Sequence, residues 1–176
     1  MRHRDRFLLV LLLGLLVAAA VLWRDLSLPE RAREKAQTQL VVDDLEMERE
    51  ISGDLFKIRA SQARKMQDGL IEASSLDIHA FLSGEGDWKL NAVSGKLENK
   101  GAILLSEVSA KHVGDGLDMD VKAPIASWDP ESRIWQFDGP VTITQGNLSA
   151  GGSKGKAKPG GLVTLSGEAW ATWERH

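Results

Sequence analysis

The chain has 176 residues, with 22 Lys and Arg against 25 Asp and Glu, and neither cysteine nor tyrosine. That length holds one ordinary domain plus an appendage, and the missing cysteine excludes disulfides, thiolate metal sites and a lipidated N-terminal cysteine. The net charge of −3 divides into +2 over residues 1–25 and −5 over the rest, so the body of the chain lacks the basic footprint that nucleic acid requires.

The first element is "FLLVLLLGLLVAAAVLW", Phe7 to Trp23, 17 residues without a charge. As a helix it reaches roughly 25 Å, near the short limit for crossing a hydrocarbon core. Arg2, Arg4 and Arg6 precede it, which holds residues 1–6 in the cytoplasm and exports everything after Trp23. The alternative is a cleaved signal peptide, since Ala18-Ala19-Ala20 resembles a small-residue cleavage site. Length favours a retained anchor over residues 7–23, and both readings export the domain.

Residues 24–40 follow as a juxtamembrane stalk. Ser27 with Glu30 three places on is a capping-box pattern, and Pro29 suits a first helical turn, so a short, polar helix is expected near residues 28–39. From Val41 the period changes to two. Phe56–Ala60, Leu76–Ala80, Trp88–Ala92, Leu117–Val121 and Val141–Thr144 all alternate apolar with polar, as half-buried strands do. Turn signals punctuate them: Asp68-Gly69, Asn99-Lys100-Gly101, Gly114-Asp115-Gly116, Asp129-Pro130 and Asp138-Gly139-Pro140. Residues 41–176 therefore form an all-β, antiparallel domain: a sandwich, a jelly roll or stacked strands.

The strand groups also repeat. Phe56, Ile58 and Ala60 are answered 32 residues later by Trp88, Leu90 and Ala92, Gly69 by Gly101 and Leu76 by Val108. "WQFDG" at Trp135–Gly139 rhymes with "WKLNA" at Trp88–Ala92. No histidine or carboxylate is held constant between the copies, so a surface is being repeated rather than a reaction.

The inward faces assemble Phe56, Ile58, Leu76, Ile78, Trp88, Leu90, Leu117, Met119, Val121, Trp135, Phe137, Val141 and Ile143. Alternation by itself fits a dry packed core as well as a ligand-lined one. His79 and His112 have no partners at ligand spacing, and "DGLDMD" lacks most of a calcium loop, so no metal site is expected. No nucleophile motif, paired-carboxylate signature or cofactor fingerprint is present, and an enzyme is not expected. The Gly- and Lys-rich stretch 149–161 reads as a flexible, solvated loop; contact of Lys154, Lys156 and Lys158 with phosphates is the sharper alternative.

With a short anchor, a stalk, "WKLNAVSGKLENKGAILLSEVSA" and "DGLDMDVKAPIASWDPESRIWQFDGPVTIT", the chain resembles the LptC family, bitopic components of lipopolysaccharide export in Gram-negative bacteria. The resemblance runs from the anchor to about Trp173 and rests most on the Ala123–Val141 segment; stretch 149–161 departs from it. It implies an open, OstA-like β-jelly roll in the periplasm, held by a single-pass inner-membrane helix. Its groove, lined by the inward residues above, takes lipid A acyl chains from an inner-membrane ABC transporter and passes them to a periplasmic bridge protein of similar fold. The last strand, within "GLVTLSGEAWATWERH", then offers Leu162, Val163, Thr164 and Leu165 as the edge to which the bridge protein adds. Two alternatives stay open: an exported β-sandwich adaptor that binds protein partners alone, and a cleaved, soluble bridge-type paralogue.

Overall fold

Alternating side chains and short turns become ten antiparallel strands in the computed structural model, which describes residues 38–82, 86–114 and 118–174. They are β1 (Thr38–Ile51), β2 (Asp54–Met66), β3 (Ile71–Phe81), β4 (Asp87–Leu97), β5 (Ile103–Val113), β6 (Met119–Asp129), β7 (Ile134–Gln145), β8 (Leu148–Ala157), β9 (Val163–Ser166) and β10 (Trp170–Trp173). Each pairs with its neighbour in the chain from β1 to β8, and β9 and β10 both pair with β8. Hairpins make every connection from β1 to β9, so contacts are local along the sheet and only its folding brings distant strands together.

The expected anchor at Phe7–Trp23 and nearly all of the stalk lie outside the described residues, as does Leu117. Among the described residues no helix is long and apolar enough to cross a membrane. The strand period begins at Thr38, three residues ahead of the boundary expected at Val41.

Every strand from β2 to β6 slips phase once. Buried positions in β2 are Phe56, Ile58 and Ala60, then Ala63; in β4 they are Trp88, Leu90 and Ala92, then Gly95 and Leu97. The slip falls at 61–62, 74–75, 93–94, 106–107 and 124–125, beside an aligned row of Gln62, Ser74, Ser94, Ser106 and Ile125. Left-handed backbone recurs at Asp44 (φ 54°), Ser75 (50°), Glu107 (52°) and Gly139 (93°), one in each of β1, β3, β5 and β7. A left-handed residue inside a strand bends it as a bulge does. The bends together make one transverse crease, which divides the sheet into two panels. Alanines line its inside (Ala60, Ala63, Ala73, Ala92, Ala123 and Ala126), because the inner side of a fold has little room. A Cβ added at Gly95 would fall 2.7 Å from Leu105 Cδ2.

The crease explains the 32-residue echo. The intervals between the left-handed positions are 31, 32 and 32 residues, so one repeat is one hairpin carrying one bend. The second rhyme is local: Trp88 opens β4 on one panel, whereas Trp135 opens β7 on the other, running the opposite way.

Stretch 149–161 is largely a strand rather than the flexible loop expected. In β8 Gly151, Gly155 and Ala157 are buried while Ser153, Lys154 and Lys156 are exposed. Glycine is read as disorder in a sequence, but here it admits neighbours: the Trp170 ring lies where a Cβ of Gly151 would be, 2.6 Å from it.

Glu107 is exposed and has a left-handed φ, so the backbone alone decides what it tolerates. Glu107→Val is expected to lower stability by about 1–2 kcal/mol, while Glu107→Gly stays within about 1 kcal/mol of the parent, measured by urea unfolding. Equal losses for both would mean that the side chain, not the bend, matters there.

Candidate functional site

The apolar interior is the one feature that unites most of the residues singled out in the sequence. Phe56, Ile58, Leu76, Ile78, Trp88, Leu90, Met119, Val121, Trp135, Phe137, Val141 and Ile143 all point into it, and none exceeds 8% exposure. Ten of them line the panel that carries the start of β2; Trp135 and Phe137 belong to the facing one. Leu97, Ile103, Leu105, Ala126 and Trp128 complete that facing panel. The sequence reading missed them because the phase slip interrupts alternation; the continuing run "ILLSEVSAKHV" was the available signal.

Contacts between far-apart strands prove that the panels face each other. The Phe56 ring meets Trp128 edge-on at 5.3 Å between centroids, and Trp88 lies 6.4 Å from Phe137. Each buried aromatic or aliphatic side chain contributes about 1.5–3 kcal/mol.

Opposite the crease, turns from the two panels meet along a seam. Arg49 donates to the carbonyl of Glu98 at 2.7 Å and to that of Asn99. Ser52 Oγ donates to Pro130 O at 2.7 Å, and Trp88 Nε1 donates to Pro159 O at 3.2 Å. Between these, Arg133 Nη2 and Nε donate to Asp54 Oδ1 and Oδ2 at 2.6 and 2.8 Å, a bidentate pair whose carboxylate is fully buried. The neighbouring Asp129 caps the turn from Pro130 to Arg133. Its carboxyl is held below the usual range by the Ser132 hydroxyl and then by the Glu131 amide. The antiparallel sheet is open at its edges, as expected, and its inward side chains are buried between crease and seam.

A separate depression of about 360 Å³ lies on the outer face over β2–β5. Exposed Gln62, Arg64 and Lys96 border it, and Lys96 is bridged to Glu72 at 2.9 Å, so its rim is charged and it is open to solvent. His79 sits 3.1 Å from Asp87, and His112 packs on Trp88 at 5.1 Å. No group of three or more metal-ligating side chains gathers among the described residues.

The sheet has two edges, β1 and the pair β9–β10. The single terminal strand expected is interrupted at Gly167–Ala169, where Gly167 and Glu168 are left-handed. Leu162 precedes β9 and is 62% exposed; Val163 and Leu165 are half-buried against the core, and Thr164 is exposed. Lys158 donates its N–H to Leu162 O at 3.0 Å, which sets the ladder's phase. Counting in steps of two from that pair, Thr164 bonds to Lys156, and the N–H groups of Val163 and Leu165 face outward. Trp170 and Trp173 on β10, 49% and 69% exposed, extend the same edge.

A model of the family described as lipopolysaccharide-assembly, LptC-related, matches residues 7–167. Among solved structures, the chain is similar to LptH from Pseudomonas aeruginosa, the LptA-homologous periplasmic component of the lipopolysaccharide transport device. The TM-score is 0.55 at 10% identity, covering 68% of this chain and 95% of that one. Such a likeness speaks for the fold. No curated protein sequence matches the chain.

Proposed function

The chain belongs to the LptC family of lipopolysaccharide-assembly proteins and so has a role in lipopolysaccharide transport; from that premise we propose that its folded sheet receives lipid A acyl chains between its two panels. The observation that carries this reading is the continuous apolar interior bounded by a crease on one side and a seam of separable polar contacts on the other. Acyl chains would come from an inner-membrane ABC transporter and leave for a periplasmic bridge protein of similar fold. Residues 7–23 would anchor the chain as a single pass with residues 1–6 in the cytoplasm. The domain itself performs no catalysis and uses no cofactor; the transporter's ATP hydrolysis supplies the work.

A photoreactive side chain at Ile143, among the less sealed interior positions, tests it in the full chain in membranes. Crosslinking to lipopolysaccharide that depends on ATP supports the reading. A second reading, an adaptor binding proteins alone, is favoured by the buried interior, and crosslinks confined to protein would select it.

The β9 edge is the proposed handoff surface, by addition of a partner strand. Leu165→Pro removes an outward donor and leaves the β8 ladder whole, so beside a Leu165→Ala control that loses the same core packing it should cut capture of the bridge protein about five-fold or more. Thr164→Pro removes a donor that β8 uses and should lower the melting temperature as well. Undiminished capture by a folded Leu165→Pro chain would move the handoff to another edge.

A further inference from the structure

Three tryptophans are buried in the interior, and they are not equivalent. Trp88 spends its indole N–H on Pro159 O. Trp128 and Trp135, 1% and 0% exposed, direct theirs to no protein acceptor. They are cross-strand partners on β6 and β7 with rings 5.2 Å apart. A buried indole normally finds a partner for its N–H, and a phenylalanine ring would fill most of the space without that demand.

Their position is as informative as their lack of an acceptor. Trp128 is the last inward residue before the turn of Pro130–Arg133 and Trp135 the first after it, two residues from Arg133, while Phe56, against Trp128, is two residues from Asp54; the pair thus stands next along the strands to the Asp54–Arg133 contact on the seam. The surroundings change there from charged rim to apolar interior, with Phe56 against Trp128 on the inner side. An amphiphile inserted tails-first has the same profile: charge, then carbonyl oxygens, then hydrocarbon.

We infer that Trp128 and Trp135 form a carbonyl-binding site, in which the two indole N–H groups donate to ester or amide carbonyls at the head of inserted acyl chains. This rests on the lipid reading above and adds a polar selectivity to it. Hydrocarbon alone would occupy the interior and leave both donors unpaired. An acylated ligand pairs them, in a dry site where such bonds are strongest.

The test uses the full chain in nanodiscs with two probes, an ester-linked diacyl phosphatidic acid and its ether-linked dialkyl counterpart. The unaltered chain is expected to prefer the ester probe roughly 25-fold, about five-fold for each of the two neutral hydrogen bonds. Both indole proton resonances should move downfield with the ester probe and not with the ether. Trp128→Phe and Trp135→Phe should each reduce the preference while still capturing the ether probe. If a variant loses its fold, the resonances of the unaltered chain decide alone. Equal capture of both probes by the unaltered chain, or unmoved resonances, overturns the inference and leaves the lipid reading standing. Capture of neither probe removes both.

Discussion

Leu90→Asp and Phe137→Asp are each expected to abolish folding of the domain, not merely to block its interior. Both side chains are 1% exposed, Leu90 in register between Ile78 and Ala110, Phe137 between Ala126 and Gly155. Substitution removes about 1.5–3 kcal/mol of apolar burial and places a carboxylate where water does not reach, at several kcal/mol more. A domain of this size has about 5–15 kcal/mol in all. In an open trough the carboxylate would keep its water and the fold would survive, as an open groove read from the sequence requires. Circular dichroism and thermal unfolding measure it. Cooperative melting near the parent temperature would show that the panels already stand apart in solution.

Arg133→Ala is the second large effect, expected to cost about 3–5 kcal/mol. The carboxylate of Asp54 is wholly buried and loses both guanidinium donors at once. Asp54→Asn should cost less, because Arg133 is 36% exposed and its guanidinium can turn to solvent. That asymmetry separates a seam latch from a surface pair, for which both substitutions would fall below about 1 kcal/mol. Measured in urea, equal small losses would take the seam's strength away from this pair. With lipopolysaccharide present, a weakened latch should load faster on the proposed reading.

The strand panel that opens β2, β4 and β6 was legible from Phe56, Trp88 and Met119 onward, because those segments alternate without interruption. On the facing panel only Trp135 and Phe137 were. Leu105 and Val108 on β5, or Ala123 and Ala126 on β6, are both inward and yet three apart, a spacing that breaks the strand period and imitates a helical one. Nothing in a composition window reports that a residue such as Glu107 will sit left-handed, since the demand comes from the neighbouring bends. The strand β8 was hidden by its glycines, whose small size answers to Trp170 and Leu165 across the sheet. Burial was hidden for a different reason: alternation tells which side chains share a face, but not what covers that face.

The placement of one bend in each hairpin also makes the molecule a ruler. Strands stand about 4.8 Å apart, so every 32-residue unit lengthens the apolar interior by roughly 10 Å while leaving its cross-section unchanged. The length of that interior is therefore quantised in hairpins. Excising residues 76–107, one whole unit between equivalent bends, would shorten the interior by one step and join Ser75 to Val108 with the inward faces in phase. A deletion one residue longer or shorter would turn the panel beyond the junction inside out.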